Sequence, residues 1–478
     1  MNTRTTRVAR AWMRLAPAFL PFADAASAGL PLARLLRLSL FQVSVGMMAA
    51  LLVGTLNRVM IVELGVPTWL VAVMVALPLL FAPFRALVGF RSDVYRSALG
   101  WRRVPFIWMG SLLQFGGLAI MPFALLILSG DTHGPIVIGQ LGAALAFLLV
   151  GAGFHTTQTA GLALATDLAP DDTRPRVVAL MYVMLLVGVM ISSVVFGWLL
   201  THFTELRLIQ VVQGAAVLTL ALNSIALWKQ EPRRPRTGDS SADREKFSDT
   251  WRRYLRGNRA SRFLLSVGLG SAAFSMQDIL LEPYGGQILH LSVSATTWLT
   301  ALIASCALCA FAAAERLLTR GVDPYRLAAA GVTLALFAFA AVIIAAPLES
   351  ATLYRCGSGL IGFSAGLFGV GTLSAAMQLD PRIDNGLALG AWGAVQALAG
   401  GSAIAVSGGL RDAFGALAER GALGPALTGP AVGYGFVYHI ELLLLFATLI
   451  AIGPLVGSTR GSGVFQRARP ERDVALTA

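Results

Sequence analysis

The chain has 478 residues, 56% of them hydrophobic and only 13% charged, with a mean hydropathy of +0.71, where an average soluble chain is about 25% charged. That composition excludes a water-soluble globular protein. The net charge of +12 lies in short loops between apolar runs, the pattern of membrane topology and not of a phosphate-binding surface, so no nucleic-acid partner is expected.

Residues 1–37 carry Arg4, Arg7, Arg10 and Arg14 around a short apolar patch broken by Pro17 and Pro21, without a cleavage site. They read as a cytoplasmic N-terminal arm on the membrane surface. Apolar runs then predict transmembrane helices near 38–60, 68–90, 104–129, 135–168, 176–200, 206–228, 262–289, 292–314, 324–347, 351–379, 384–410 and 432–456. Each run is continuous and long enough to span as a helix, and none alternates as a barrel strand does. The fold class is an all-α integral membrane protein of twelve transmembrane helices.

Placing the loops on alternate sides puts 32 of the 37 Lys and Arg residues on one side and 5 on the other. By the positive-inside rule both termini are cytoplasmic, the protein being multi-pass. The segment 229–261 is a basic cytoplasmic linker; with Arg262 just after it, it holds 11 basic residues. It divides an N-terminal six-helix half, 38–228, from a C-terminal half, 262–456, with a tail at 457–478, as a major facilitator superfamily fold is divided into two pseudo-repeats. The halves resemble each other: Ser44-Val45-Gly46 matches Ser266-Val267-Gly268, Thr68-Trp69-Leu70 matches Thr297-Trp298-Leu299, and Asn57-Arg58 lies opposite Gln277-Asp278.

Gly362-x-x-x-Gly366 and Gly386-x-x-x-Gly390 read as close-packing helix faces, and Cys306, Cys309 and Cys356 as small apolar packing residues. The loop after the second helix carries Gly89, Asp93, Arg102 and Arg103, similar to the cytoplasmic charge motif of facilitator folds, in which an acid and an Arg pair lock the bundle near a helix end.

Ionisable groups within apolar spans are functional candidates. Arg58, Asp278, Glu282 and Glu441 qualify, and the pseudo-equivalence of Arg58 and Asp278 predicts an intramembrane charge pair across the halves, against the alternative that each reaches the interface separately. In the fourth span His155, Gln158 and Thr159 share a helical face at i, i+3 and i+4. They could bind the metal of a porphyrin-type ring and its substituents, or form an ordinary helix–helix hydrogen bond. His439 is a second candidate, while His133, His202 and His290 fall near loops. No catalytic motif is present, so an enzyme is not expected.

The stretches 20–27 and 35–46, Gly54-Thr55-Leu56-Asn57-Arg58, His155-Thr156-Thr157-Gln158-Thr159-Ala160-Gly161, and Gln277-Asp278 through Glu282-Pro283-Tyr284-Gly285-Gly286 resemble the PucC/LhaA family, the bacteriochlorophyll-delivery branch of the major facilitator superfamily, on its LhaA side. The resemblance implies a light-harvesting complex assembly factor in the intracytoplasmic photosynthetic membrane. It would hold bacteriochlorophyll, with carotenoid as a further cargo, and pass it to nascent antenna α and β polypeptides, those of the core antenna in particular. His155 becomes a candidate ligand of the pigment magnesium, and the reaction centre and pigment-synthesis enzymes become candidate partners beside membrane lipids. The alternatives are a secondary transporter of a tetrapyrrole or other solute, proton-coupled through Asp278, Glu282 or Glu441, and a pigment-free scaffold.

Overall fold

The computed structural model describes residues 30–80, 88, 91–92, 97, 101–130, 135–170, 173–231, 258–377 and 385–456. The loop positions Gly89 and Asp93, the arm before residue 30, most of the linker, His133 and the tail lie outside them. Among the described residues there is no strand, and eleven helices are long and apolar enough to cross a membrane.

In the first half these are α1 Leu32–Glu63, α3 Val104–Leu128, α4 Ile136–Leu168, α5 Arg174–Leu199 and α6 Glu205–Leu227. Between α1 and α3 runs α2, Thr68–Leu80, whose predicted continuation to residue 90 lies outside the described residues. In the second half, α7 comprises Asn258–Met276, a 3₁₀ turn Gln277–Ile279 and Leu281–Gln287; it is followed by α8 Val293–Thr319, α9 Pro324–Ala345, α10 Ala351–Met377, α11 Asn385–Glu419 and α12 Ala431–Ile452. Local chemistry sets several starts: Thr204, Ser292 and Asp323 accept first-turn N–H bonds at α6, α8 and α9, and Pro324 takes the first position of α9.

Two predicted boundaries are corrected. The end of the arm is already helical: Leu35 and Leu38 are fully buried, and Arg34 donates to Gln230 Oε1 and O at 3.0 and 2.7 Å, pinning the start of α1 to the segment after α6. α11 continues nine residues past the predicted end at 410, so Arg411 is helical; its stem and guanidinium are held by neighbouring polar groups, so a charge does not end the helix.

The matched segments occupy matched environments. Ser44 and Ser266 are buried and donate to the carbonyls of Phe41 and Phe263 at 2.8 and 2.7 Å. Thr68 and Thr297 are each 1% exposed, while the adjacent Trp69 and Trp298 are 49% and 47% exposed. Small residues set the close approaches. A Cβ on Gly362 would lie 2.3 Å from the Ile303 carbonyl and one on Gly366 2.7 Å from Ala310 Cβ, which makes this face of α10 a packing seam against α8, as predicted. Cys306 stands 3.2 Å from the corresponding position on Gly359, whereas Cys309 and Cys356 are exposed on the outside of the bundle instead of packed within it.

Candidate functional site

The two helices carrying Asn57-Arg58 and Gln277-Asp278 are both irregular at those residues. α1 widens into π-helical turns over Ala50–Leu56 and Val59–Glu63, and α7 narrows into the 3₁₀ turn. Pro283 supplies the reason in α7: lacking an N–H, it leaves the carbonyl four residues earlier, that of Ile279, without its helical donor. Asn57 Nδ2 reaches across the halves to that carbonyl and to the Asp278 carbonyl, both at 3.3 Å. Irregular backbone at membrane depth is thus satisfied by protein, as the bilayer demands.

Arg58 is not paired with Asp278. Its guanidinium forms an ion pair with Glu63, one turn further along the widened α1, and donates to the Leu291 carbonyl at 3.1 Å in the α7–α8 connection. The predicted pairing fails because the π turns bring residues five apart into register, so Arg58 finds a carboxylate within its own helix. Arg58 still bridges the halves, through a carbonyl. Asp278 instead accepts from the neighbouring Gln277 Nε2 at 2.5 Å.

Further cross-half contacts gather at this end of the bundle, where α1 finishes. Glu282 accepts from Thr300 Oγ1, and both press on Gly54 of α1, where a Cβ would lie 3.0 Å from each. The Trp69 N–H of α2 donates to Asp412 Oδ2 of α11 at 2.8 Å, and the Trp298 indole of α8 donates to the Val194 carbonyl of α5 at 3.2 Å while covering Gly197. Arg411 donates to Gln287 Oε1 at 2.6 Å and lies over the Tyr434 ring.

At the opposite end, Arg102 and Arg103 both donate to Asp167 at the end of α4, at 2.8 and 3.1 Å. The Glu231 carboxylate accepts from the backbone N–H groups of Arg102, Arg103 and Val104 at 2.7–3.1 Å, a negative charge on the positive end of α3. Sequence reading found the arginines and missed Asp167 and Glu231, whose distance along the chain gives no signal of the meeting.

The polar cluster of α4 has two uses. Thr157 accepts from Gln114 Nε2 of α3 at 3.0 Å, and Gly153 and Gly110 let the two backbones touch, which is helix–helix packing. His155 and Gln158 are buried, with His155 6% exposed and its ring centroid 4.0 Å from that of Phe154; Thr159 is half-buried. His439 is exposed on α12. Its Nδ1 lies 2.6 Å from the Gly435 carbonyl, an acceptor only, so Nδ1 donates and Nε2 is the ring nitrogen left for another partner. The structure does not bring His155 and His439 together: they stand in different halves.

The fold is like that of solved membrane transporters. It matches a bacterial homologue of the human lysosomal transporter Spinster in its inward-facing, unoccupied conformation with a TM-score of 0.66 at 14% identity, over 88% of this chain and 95% of that one. A family profile described as PUCC protein matches residues 55–460. Protein PucC of Rhodovulum sulfidophilum is 57% identical over 403 residues, covering 83% of this chain and 89% of the relative. A Rhodobacter capsulatus protein described as an uncharacterized protein in the puhA-bchM intergenic region is 54% identical over 444 residues, covering 92% and 93%. The chain belongs to the PucC family.

Proposed function

We propose that this protein is a light-harvesting assembly factor that carries bacteriochlorophyll at its membrane-facing surface and delivers it to nascent antenna polypeptides, acting as a carrier and not as an enzyme. The observation that supports this best is His439. A neutral imidazole with Nδ1 held by a carbonyl presents Nε2 in a fixed direction, the arrangement of a metal-ligating histidine with its orienting partner. It stands among exposed Phe436, Leu443 and Phe446, and a side chain at Gly435 would meet nothing within 4 Å, which leaves an apolar, open face for a flat macrocycle. A large greasy ring held there need not cross the membrane. His155, with Gln158 and Thr159, is a second pigment position inside the first half; the asymmetry of the basic loops supports cytoplasmic termini.

The test is purification in mild detergent from a phototrophic host lacking antenna polypeptides, with near-infrared absorption and pigment extraction, of the parent and of His439→Phe and His155→Phe. Pigment in the parent that falls in His439→Phe places the site on α12. A fall only in His155→Phe moves it to α4. A folded parent free of pigment overturns the carrier reading in favour of a scaffold or a solute transporter.

A further inference from the structure

A buried polar face of α12 is unused by that function. Tyr434, Tyr438 and Glu441 recur at helical spacing and are fully buried. Neither Glu441 carboxylate oxygen has a hydrogen-bond partner, and neither has Tyr438 Oη one turn away. Two neighbouring hydroxyls are committed elsewhere: Tyr284 donates to the Val342 carbonyl at 3.1 Å and Tyr354 to the Leu281 carbonyl. The Tyr438 ring packs edge-on to Tyr284 at 5.5 Å, aiming this face at α7. There Asp278, half-buried, lies within electrostatic reach of Glu441, and Glu441 within reach of Tyr438.

An ionised Glu441 in this place would be an isolated charge without a donor, at a cost of several kcal/mol, and a second carboxylate nearby raises that cost. The surrounding charged and titratable groups do not relieve it. Arg58 on α1 is taken by Glu63, and Arg411 on α11 by Asp412 and Gln287. Glu282 on α7 adds negative charge, with one oxygen on Thr300 and the other unpartnered; Tyr284, Tyr354 on α10 and Tyr434 contribute hydroxyls only. Among the described residues no group of three His, Cys, Asp or Glu side chains could hold a metal ion, so a divalent cation is not the occupant.

We propose that Glu441 and Asp278, with Tyr438, form a proton-binding site, loaded in this conformation and emptied when the contacts between α1 and α7 open. Loading converts a carboxylate to a carboxylic acid, which removes the isolated charge from the buried cluster. Asp278 on α7 lies within electrostatic reach of Glu441. The same residue's backbone carbonyl is one that Asn57 grips at 3.3 Å, which ties the protonated state to closure between the halves.

The experiment is infrared difference spectroscopy of the purified full chain in nanodiscs, titrated across neutral pH, with spin labels reporting the α1–α7 separation. The parent is expected to show a deuterium-sensitive carboxylic-acid carbonyl band that disappears as pH rises, with the separation widening in step; Glu441→Gln should lose the band and fix the separation. A parent without such a band, or a band unchanged in Glu441→Gln, overturns the proposal, as does a sodium-dependent stabilisation in place of the band. If Glu441→Gln does not fold, Tyr438→Phe is read instead: a shifted band supports the site and an unmoved one overturns it. Pigment plays no part in these readouts, so this site and the carrier reading stand or fall separately.

Discussion

Asn57 Nδ2 donates to the carbonyl of Ile279, 3.3 Å away in the other half of the molecule. The bond exists because Pro283 removed the helical donor for that carbonyl, so a backbone defect in α7 has become a joint between the halves.

Replacing Asn57 by Leu keeps the volume and removes the joint. The expected loss is about 1–2 kcal/mol, the range for interhelical hydrogen bonds in bilayers, read as a lower thermal midpoint in detergent. Adding Pro283→Ala restores an N–H for Ile279, so the double variant should recover part of the loss; no recovery would show that the carbonyl does not need the donor.

Arg58 answers to Glu63 and not to Asp278. Exchanging the two charges, Arg58→Glu with Glu63→Arg, should therefore recover the folded protein lost in either single variant. Arg58→Asp with Asp278→Arg should not. The rescue will be partial, since Glu63 is about one-third exposed and solvent screens the pair. The opposite pattern of rescue would reinstate the cross-half pair.

The two arginines before α3 differ in burial: the Arg103 side chain is 5% exposed and also donates to Ser92 Oγ, whereas Arg102 is 34% exposed. Arg103→Ala should cost about 1–2 kcal/mol by removing the donor to buried Ser92 and emptying a buried site, the exposed Asp167 being solvated, and Arg102→Ala under about 1 kcal/mol. Denaturation of the two variants side by side, with equal losses, would contradict this reading.

Gly197 lies under the Trp298 indole, where a Cβ would approach to 2.2 Å, against 3.0 Å for Gly54 and the Glu282 and Thr300 side chains. Gly197→Val should displace the tryptophan and break its bond to Val194, a change visible as a red-shifted, more quenchable Trp298 fluorescence in a variant lacking the other tryptophans. Gly54→Ala should cost less stability, because a threonine hydroxyl can rotate away.

Composition and apolar run length were enough to define an all-helical membrane bundle, because in a bilayer every span must satisfy its own backbone and so announces itself locally. The Ser44 and Ser266 motifs were legible for the same reason: each makes its bond within its own turn. Pairings across the fold were not. Asp167 with Arg103, Asn57 with Ile279, and Glu63 in place of Asp278 as the partner of Arg58 depend on helix register, on π turns and on a proline's missing donor. In the sequence His155 stood out by its polar helical face with Gln158 and Thr159, and His439, two residues from Glu441, was the weaker candidate. Only the packing of neighbouring helices decided that His155 is buried beside Phe154 while His439 is exposed with its Nε2 left for another partner.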